Sequence, residues 1–170
     1  MTDSLLNSEL AALDQHGLTA YLAKILEAQG ILMAAAESCT GGMISATCTD
    51  LPGSSNWFER GFVVYSNEAK TELLGVDAGL ITQHGAVSEE VARAMAEGAL
   101  RHSRAQVAVA VTGVAGPGGG STAKPVGTVW FGWATPAGVV SERRCFSGDR
   151  AEVRRATVHY ALQRLIMCNY

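Results

Sequence analysis

The sequence predicts an α/β protein, a three-layer α/β/α sandwich around a mixed, partly parallel sheet. Three observations lead there. Apolar runs of strand length alternate with segments of helical periodicity through the first two thirds of the chain, the pattern of βαβ crossovers. Two strand-like runs then meet across Pro136-Ala137-Gly138, which reads as an antiparallel hairpin. Three of the strand ends open into polar segments, two of them containing glycine, where α/β proteins gather binding groups.

In chain order, residues 5 to 29 place Leu18, Tyr21, Leu22, Ile25 and Leu26 on one helical face and end at Gly30. A strand over 31–36 follows. Residues 40 to 50 read as a helix stopped by Pro52-Gly53, and Phe58 to Tyr65 as a strand entered through that turn. Asn67 to Leu74 is a short helix ended by Gly75, and if Asn67 caps it Lys70 lies at its third position. Ser88 opens a longer helix to His102, with Glu89 and Glu90 in its first turn, where carboxylates complement the helix dipole. Gln106 to Val111 is a β-branched strand, 113–127 a loop, and Thr128 to Ala134 with Val139 to Phe146 the hairpin. The last helix starts near Asp149 and aligns Val153, Ala156, Val158, Ala161, Leu162, Leu165 and Ile166 on one broad face. No repeat or linker interrupts this order, so residues 1–170 are expected to form one domain.

A chain of 170 residues, 48% hydrophobic and 17% charged, can bury one substantial core. Its formal charge of -3, with no run of Lys or Arg, argues against nucleic acid or a membrane surface as partner. No apolar stretch approaches the ~18 residues of a membrane span, and the start has no cationic leader, so a cytoplasmic location is expected. Cys39, Cys48, Cys145 and Cys168 lack metal-ligand spacing and read as reduced thiols; neither metal nor cofactor is expected. A small molecule is the expected partner.

The chemistry concentrates at strand ends. Six glycines in residues 113–127 let backbone approach a ligand closely, although a flexible surface loop has the same composition. Lys124 lies between Ala123 and Pro125, which excludes a P-loop, and Gly118-x-Gly120-x-x-Ala123 leads into Pro125 and a strand rather than a helix, which excludes a dinucleotide fold. No Gly-x-Ser-x-Gly elbow occurs, and none of the four histidines stands in a motif that marks a catalytic base. What remains is Ser38 at one strand-to-helix junction, with Tyr65 and Lys70 at the next. Singly, Ser38 reads as an N-cap and Lys70 as a surface charge. Together they form a possible nucleophile and base, because a lysine held neutral by burial or a helix N-terminus can take a serine proton without histidine. Backbone amides at Thr40, Gly41 and Gly42 would then receive an oxyanion or phosphate. Cys39 is either a thiol nucleophile or a small buried residue. Arg150 is either a bidentate anion clamp or a solvated arginine, and Ser54 and Ser55 either cap a turn or add a hydroxyl to the pocket.

Ala36-Glu37-Ser38-Cys39-Thr40-Gly41-Gly42, Pro52-Gly53-Ser54-Ser55, Tyr65-Ser66-Asn67-x-x-Lys70, His84-Gly85-Ala86-Val87-Ser88, Thr112-Gly113-x-Ala115-Gly116-Pro117, Lys124-Pro125-Val126-Gly127-Thr128-Val129 and Gly148-Asp149-Arg150 together resemble the CinA C-terminal domain family, over roughly residues 18 to 166. The resemblance implies hydrolysis of the carboxamide of nicotinamide mononucleotide to nicotinate mononucleotide and ammonia, a step of pyridine-nucleotide recycling, by a serine/lysine mechanism without metal. It further implies Ser38 as nucleophile, Lys70 as base, and Tyr65 as a hydroxyl that orients or relays the proton. Thr112, Gly113 and Gly116 would line the substrate pocket, Arg150 would contact phosphate or carboxamide, and Ser55 is a reserve nucleophile. A homo-oligomer is expected on the same ground. The alternative from another class is a nucleotide-binding regulatory module that kept the pocket and lost turnover.

Overall fold

The computed structural model describes residues 8–10 and 12–168. Helix α1 (Gln15–Gln29) begins where the Asp14 carboxylate accepts the Gly17 amide and stops at Gly30. That cap interrupts the helix expected from residue 5; residues 8–10 and 12 are helical in their own right, and 5–7 lie outside the described residues. Strand β1 (Met33–Glu37) starts two residues later than expected, because the Ile31 and Leu32 amides still donate to the end of α1 and to the Gln106 side chain. It ends one residue later, because Glu37 keeps its pairing with both neighbours. Helix α2 (Met43–Thr49) and strand β2 (Phe58–Val63) follow.

Helix α3 (Asn67–Leu74) is capped by Ser66, whose hydroxyl accepts the Ala69 amide, and not by Asn67. Helix α4 (Ala78–His84) was not expected: at seven residues it buries Ile81 alone, too little to leave a periodic signal, and Asp77 caps it through the Leu80 amide. Helix α5 (Glu89–Arg101) is capped by Ser88 as expected. Strands β3 (Val107–Gly113), β4 (Thr128–Thr135) and β5 (Gly138–Cys145) precede helix α6 (Arg150–Ile166), which Asp149 and Glu152 open with a reciprocal capping box.

The described residues form a five-stranded sheet in the order β2-β1-β3-β4-β5, parallel among β2, β1 and β3 and antiparallel from β3 to β5. The mixed sheet and its three layers match the sequence expectation. Side chains alternate across the pleat. On one face Met33, Ala35, Val109, Val111, Phe131 and Trp133 pack against α1, α2 and α6, with Phe131 and Trp133 stacked at 5.4 Å and the Trp133 indole donating to the Ala161 carbonyl at 3.0 Å. On the other face Ala34, Ala36, Ala108 and Ala110 meet Leu74, Val91, Met95 and Ala96 of α3 and α5. Small residues on that face let α5 lie close to the sheet. Gly98 of α5 instead faces α3: an added Cβ would run into the Leu74 carbonyl at the end of that helix, a backbone atom that cannot turn aside. Gly98→Ala is therefore expected to lower stability by about 3 kcal/mol, with a thermal midpoint roughly 10 °C lower in calorimetry.

This topology locates the chemistry. From β1 the chain crosses over through α2 to β2 on one side, then returns through α3, α4 and α5 to β3 on the other. Connections that diverge from one strand leave a crevice at its carboxyl end. Ser38 is the residue that follows β1. Among the described residues no helix is long and apolar enough to cross a membrane.

Candidate active site

Glu37 and Ser38 are successive residues at a strand end, so they point to opposite faces of the sheet. Ser38 continues the ladder, donating its amide to the Val111 carbonyl at 3.0 Å, and turns its hydroxyl toward α3. There it meets Lys70, whose Nζ lies 3.1 Å from Ser38 Oγ. Lys70 is 1% exposed and Ser38 8%. The lysine amine also lies 2.9 Å from the Val64 carbonyl oxygen, 3.1 Å from that of Tyr65 and 3.3 Å from that of Ser66. Burial holds the Lys70 amine below its usual range, against opposing contributions from Cys39 and Glu68. The sequence offers two causes, burial or a helix N-terminus capped by Asn67. With Ser66 as cap, Lys70 stands one position further into α3 and its amine folds back onto the carbonyls ahead of the helix, so desolvation carries the effect.

A cavity of about 210 Å³ opens at this pair, lined by Ser38, Cys39, Tyr65, Lys70, Ala86, Val87, Thr112, Gly113, Ala115 and Arg150. Thr112 closes one side by donating its hydroxyl to the Ala86 carbonyl at 2.8 Å. Arg150, the first residue of α6, donates to the Gly116 carbonyl at 2.9 Å and to the Tyr65 hydroxyl at 3.1 Å. Gly116 thus bears on the cavity through Arg150. Tyr65 is 61% exposed; its carbonyl reaches Lys70, while its hydroxyl reaches Arg150 and neither member of the Ser38–Lys70 pair. That placement offers the phenol no direct path for a proton relay. A wider cleft of about 640 Å³ shares Ala115 and Arg150 with this cavity and continues past Pro117, Val126, Gly148, Ala151 and Arg154.

Other sequence candidates lie elsewhere. Thr40 donates its hydroxyl to Glu37 Oε2 at 2.7 Å, the Gly41 amide donates to the Ser38 carbonyl at 3.1 Å, and the Gly42 amide to Glu37 Oε2 at 3.1 Å. The structure therefore corrects the expected anion cradle at 40–42: the protein's own acceptors occupy the Gly41 and Gly42 amides, and none of the three residues lines the cavity. Ser55 is exposed, on a helical turn ahead of β2. Phe58 pairs with Met33 and Val63 with Glu37, so Ser55 sits at the opposite end of the sheet from Ser38, a strand length of about 16 Å away. Sequence reasoning passed over Glu37 and Arg154. An acidic residue closing an apolar run, and an arginine one helical turn beyond Arg150, were the available signals.

Burial is the largest cause pushing the Cys39 thiol up to about 12, so it stays protonated at neutral pH. Cys39→Ala is expected to keep whatever reaction this cavity supports within about threefold of the parent rate, because a protonated buried thiol is no nucleophile. Steady-state assay of the variant, beside the parent treated with a thiol-blocking reagent, checks this. Among the described residues no group of three or more His, Cys, Asp or Glu is arranged to hold a metal ion.

The family described as CinA C-terminal domain matches residues 15–168 of the chain. Nicotinamide-nucleotide amidohydrolase PncC of Escherichia coli (strain K12) is 54% identical over 149 residues, which is 87% of this chain and 90% of that protein. The protein of the same name from Pseudomonas putida is 60% identical over 131 residues, 77% of this chain and 82% of that protein. The crystal structure of competence/damage inducible protein CihA from Agrobacterium tumefaciens superposes with a TM-score of 0.88 at 45% identity, covering 91% of this chain and 95% of that one.

Proposed function

The chain belongs to the CinA C-terminal domain family, and from that premise we propose that it hydrolyses the carboxamide of nicotinamide mononucleotide to nicotinate mononucleotide and ammonia, with Ser38 as nucleophile and Lys70 as its base. The observation that carries this reading is the 3.1 Å separation of Lys70 Nζ from Ser38 Oγ, two buried residues that line one cavity. A neutral lysine has two N–H bonds and one lone pair. The Val64 and Tyr65 carbonyls accept the two hydrogens, which leaves the lone pair for the Ser38 hydroxyl.

On this reading Ser38 Oγ bonds to the carboxamide carbon as its proton passes to Lys70. The ammonium then gives that proton to the departing nitrogen, the C–N bond breaks, and ammonia leaves an acyl ester on Ser38. Water, deprotonated by Lys70, attacks the ester carbon; that proton passes to Ser38 Oγ as the C–O bond to the enzyme breaks, and the carboxylic acid formed loses its own proton to solvent to give the carboxylate. Cavity size supports the substrate assignment. The smaller space suits a ring-bound carboxamide, and the wider cleft beyond Arg150 suits the phosphoribosyl part, with Arg150 presenting positive charge to the phosphate. Thr112 and Gly113 shape the far wall, and Tyr65 holds Lys70 by its carbonyl and Arg150 by its hydroxyl. The product re-enters pyridine-nucleotide recycling.

The test is ammonia release by the purified protein from nicotinamide mononucleotide, with nicotinamide as control. Release from the mononucleotide and far slower release from nicotinamide is the expected result. Binding of the mononucleotide with no ammonia would reassign the chain as a nucleotide-binding module without turnover.

A further inference from the structure

Ser38 leads a turn whose later part, Gly41-Gly42, has no side chain to hold it, and Gly42 sits at φ 99°, in the left-handed region. Two side chains from different parts of the fold grip that turn. Glu37, fully buried, accepts five hydrogen bonds: at Oε2 from the Thr40 hydroxyl and the Gly42 and Ile44 amides, and at Oε1 from the Ser45 amide and hydroxyl, all between 2.7 and 3.1 Å. Arg154, projecting from α6, donates through Nε to the Cys39 carbonyl at 3.1 Å and through Nη2 to the Thr40 carbonyl at 2.8 Å. An anion takes the N–H groups of the segment and a cation takes its carbonyls. Neither group forms a direct ion pair with the other among these contacts.

We propose that Glu37 and Arg154 are positioning residues for Ser38, acting through the turn that follows it to hold its hydroxyl against Lys70. The inference rests on the reading of Ser38 as the nucleophile. Glu37 is suited to the task by its place in the strand: its side chain leaves the sheet on the face opposite Ser38, so it fixes the nucleophile's backbone without entering the cavity. A carboxylate is also the group the site requires, being acceptor-only on both oxygens. The amide of Glu37→Gln must turn its NH₂ toward either the Thr40, Gly42 and Ile44 donors or the Ser45 amide, so at least one donor loses its partner. Arg154 adds what Glu37 cannot, a tie from α6, which also carries Arg150, to the two successive peptide carbonyls of Cys39 and Thr40. The serine and the arginine that face one cavity are thereby held in one frame.

The experiment measures Ser38 itself. An alkyl fluorophosphonate is reacted with the full chain, and labelling at Ser38 is followed by intact and peptide mass spectrometry beside steady-state ammonia release. The reagent forms a P–O bond to Ser38, breaks its P–F bond and passes the serine proton to the base, so its rate reports nucleophile placement without the nucleotide subsite. Glu37→Gln is expected to slow labelling and kcat by about a hundredfold with KM within about twofold, the signature of a misplaced group rather than a lost binding contact. Arg154→Lys, which keeps the charge but loses the fork, is expected to slow both by about tenfold. Normal labelling rates in both folded variants, or rates that fall only with the folded fraction measured by circular dichroism, would overturn the proposal. Should Glu37→Gln not fold, Arg154→Lys decides the matter alone by the same comparison. A parent protein that releases ammonia without Ser38 labelling, and in which Ser38→Ala stays active, sinks the nucleophile reading and this inference with it; labelled parent and unaffected variants sink this inference only.

Discussion

Lys70→Met will reduce kcat for ammonia release from nicotinamide mononucleotide by about 10³-fold or more, because a general base worth ~10²–10⁴ is removed together with the proton donor for the leaving nitrogen. Methionine keeps most of the stem that fills the space between α3 and β1, so the loss is read as chemistry once circular dichroism shows the fold retained. The pH dependence sharpens the test. Burial holds the folded-state Lys70 below its ordinary 10.5, so the neutral, active form is reached at lower pH than for a free lysine. Activity should therefore rise with pH along a single proton-loss limb whose midpoint lies below 10.5, and Lys70→Met should remove that limb. Stability carries the same sign. Between the folded pKa and 10.5 the unfolded chain binds more protons at this lysine, so its contribution to stability increases with pH across that window, is fully penalised below it and levels off above. Chemical denaturation of parent and Lys70→Met across that window measures the difference in slope.

Ser38→Ala is expected to abolish turnover, by about 10³–10⁶ in kcat, while nicotinamide mononucleotide still binds, since only the hydroxyl that attacks is removed. Isothermal titration and the ammonia assay on the same preparation separate the two quantities. Ser55→Ala is the matched control, expected to behave as the parent because Ser55 stands at the other end of the sheet. The Ser38→Ala, Lys70→Met double variant should be no worse than either single one, as serine and amine act as one unit. An additive loss would mean that the two groups serve separate steps.

Much of the fold was legible because its signals are local. Val107 to Val111, the Pro136-Ala137-Gly138 turn, and Ser88 before Glu89 and Glu90 each announce their element within a few residues. Helix α4 was not legible, since one buried side chain in seven residues leaves no period to detect. Capping was half legible. Ser66 and Asn67 are both good caps, and only the backbone's path out of β2 selects between them.

Ser38, Tyr65, Lys70 and Arg150 stand at strand-end positions that sequence alone marks as chemical, and residue type dictates what each can do: attack, take a proton or carry charge. Order along the chain determined the α/β layering by itself, because hydrophobic period follows from side-chain geometry. Which groups meet was decided only by the tertiary structure. Placing β1 between β2 and β3 brings the residue after Glu37 beneath the first turns of α3, and the same register carries Ser55 to the far end. The fate of the amides at 41 and 42 was decided there too. A hydrogen-bond donor goes to whichever acceptor folding brings nearest, and once the chain closes, that acceptor is the Ser38 carbonyl for one and the Glu37 carboxylate for the other.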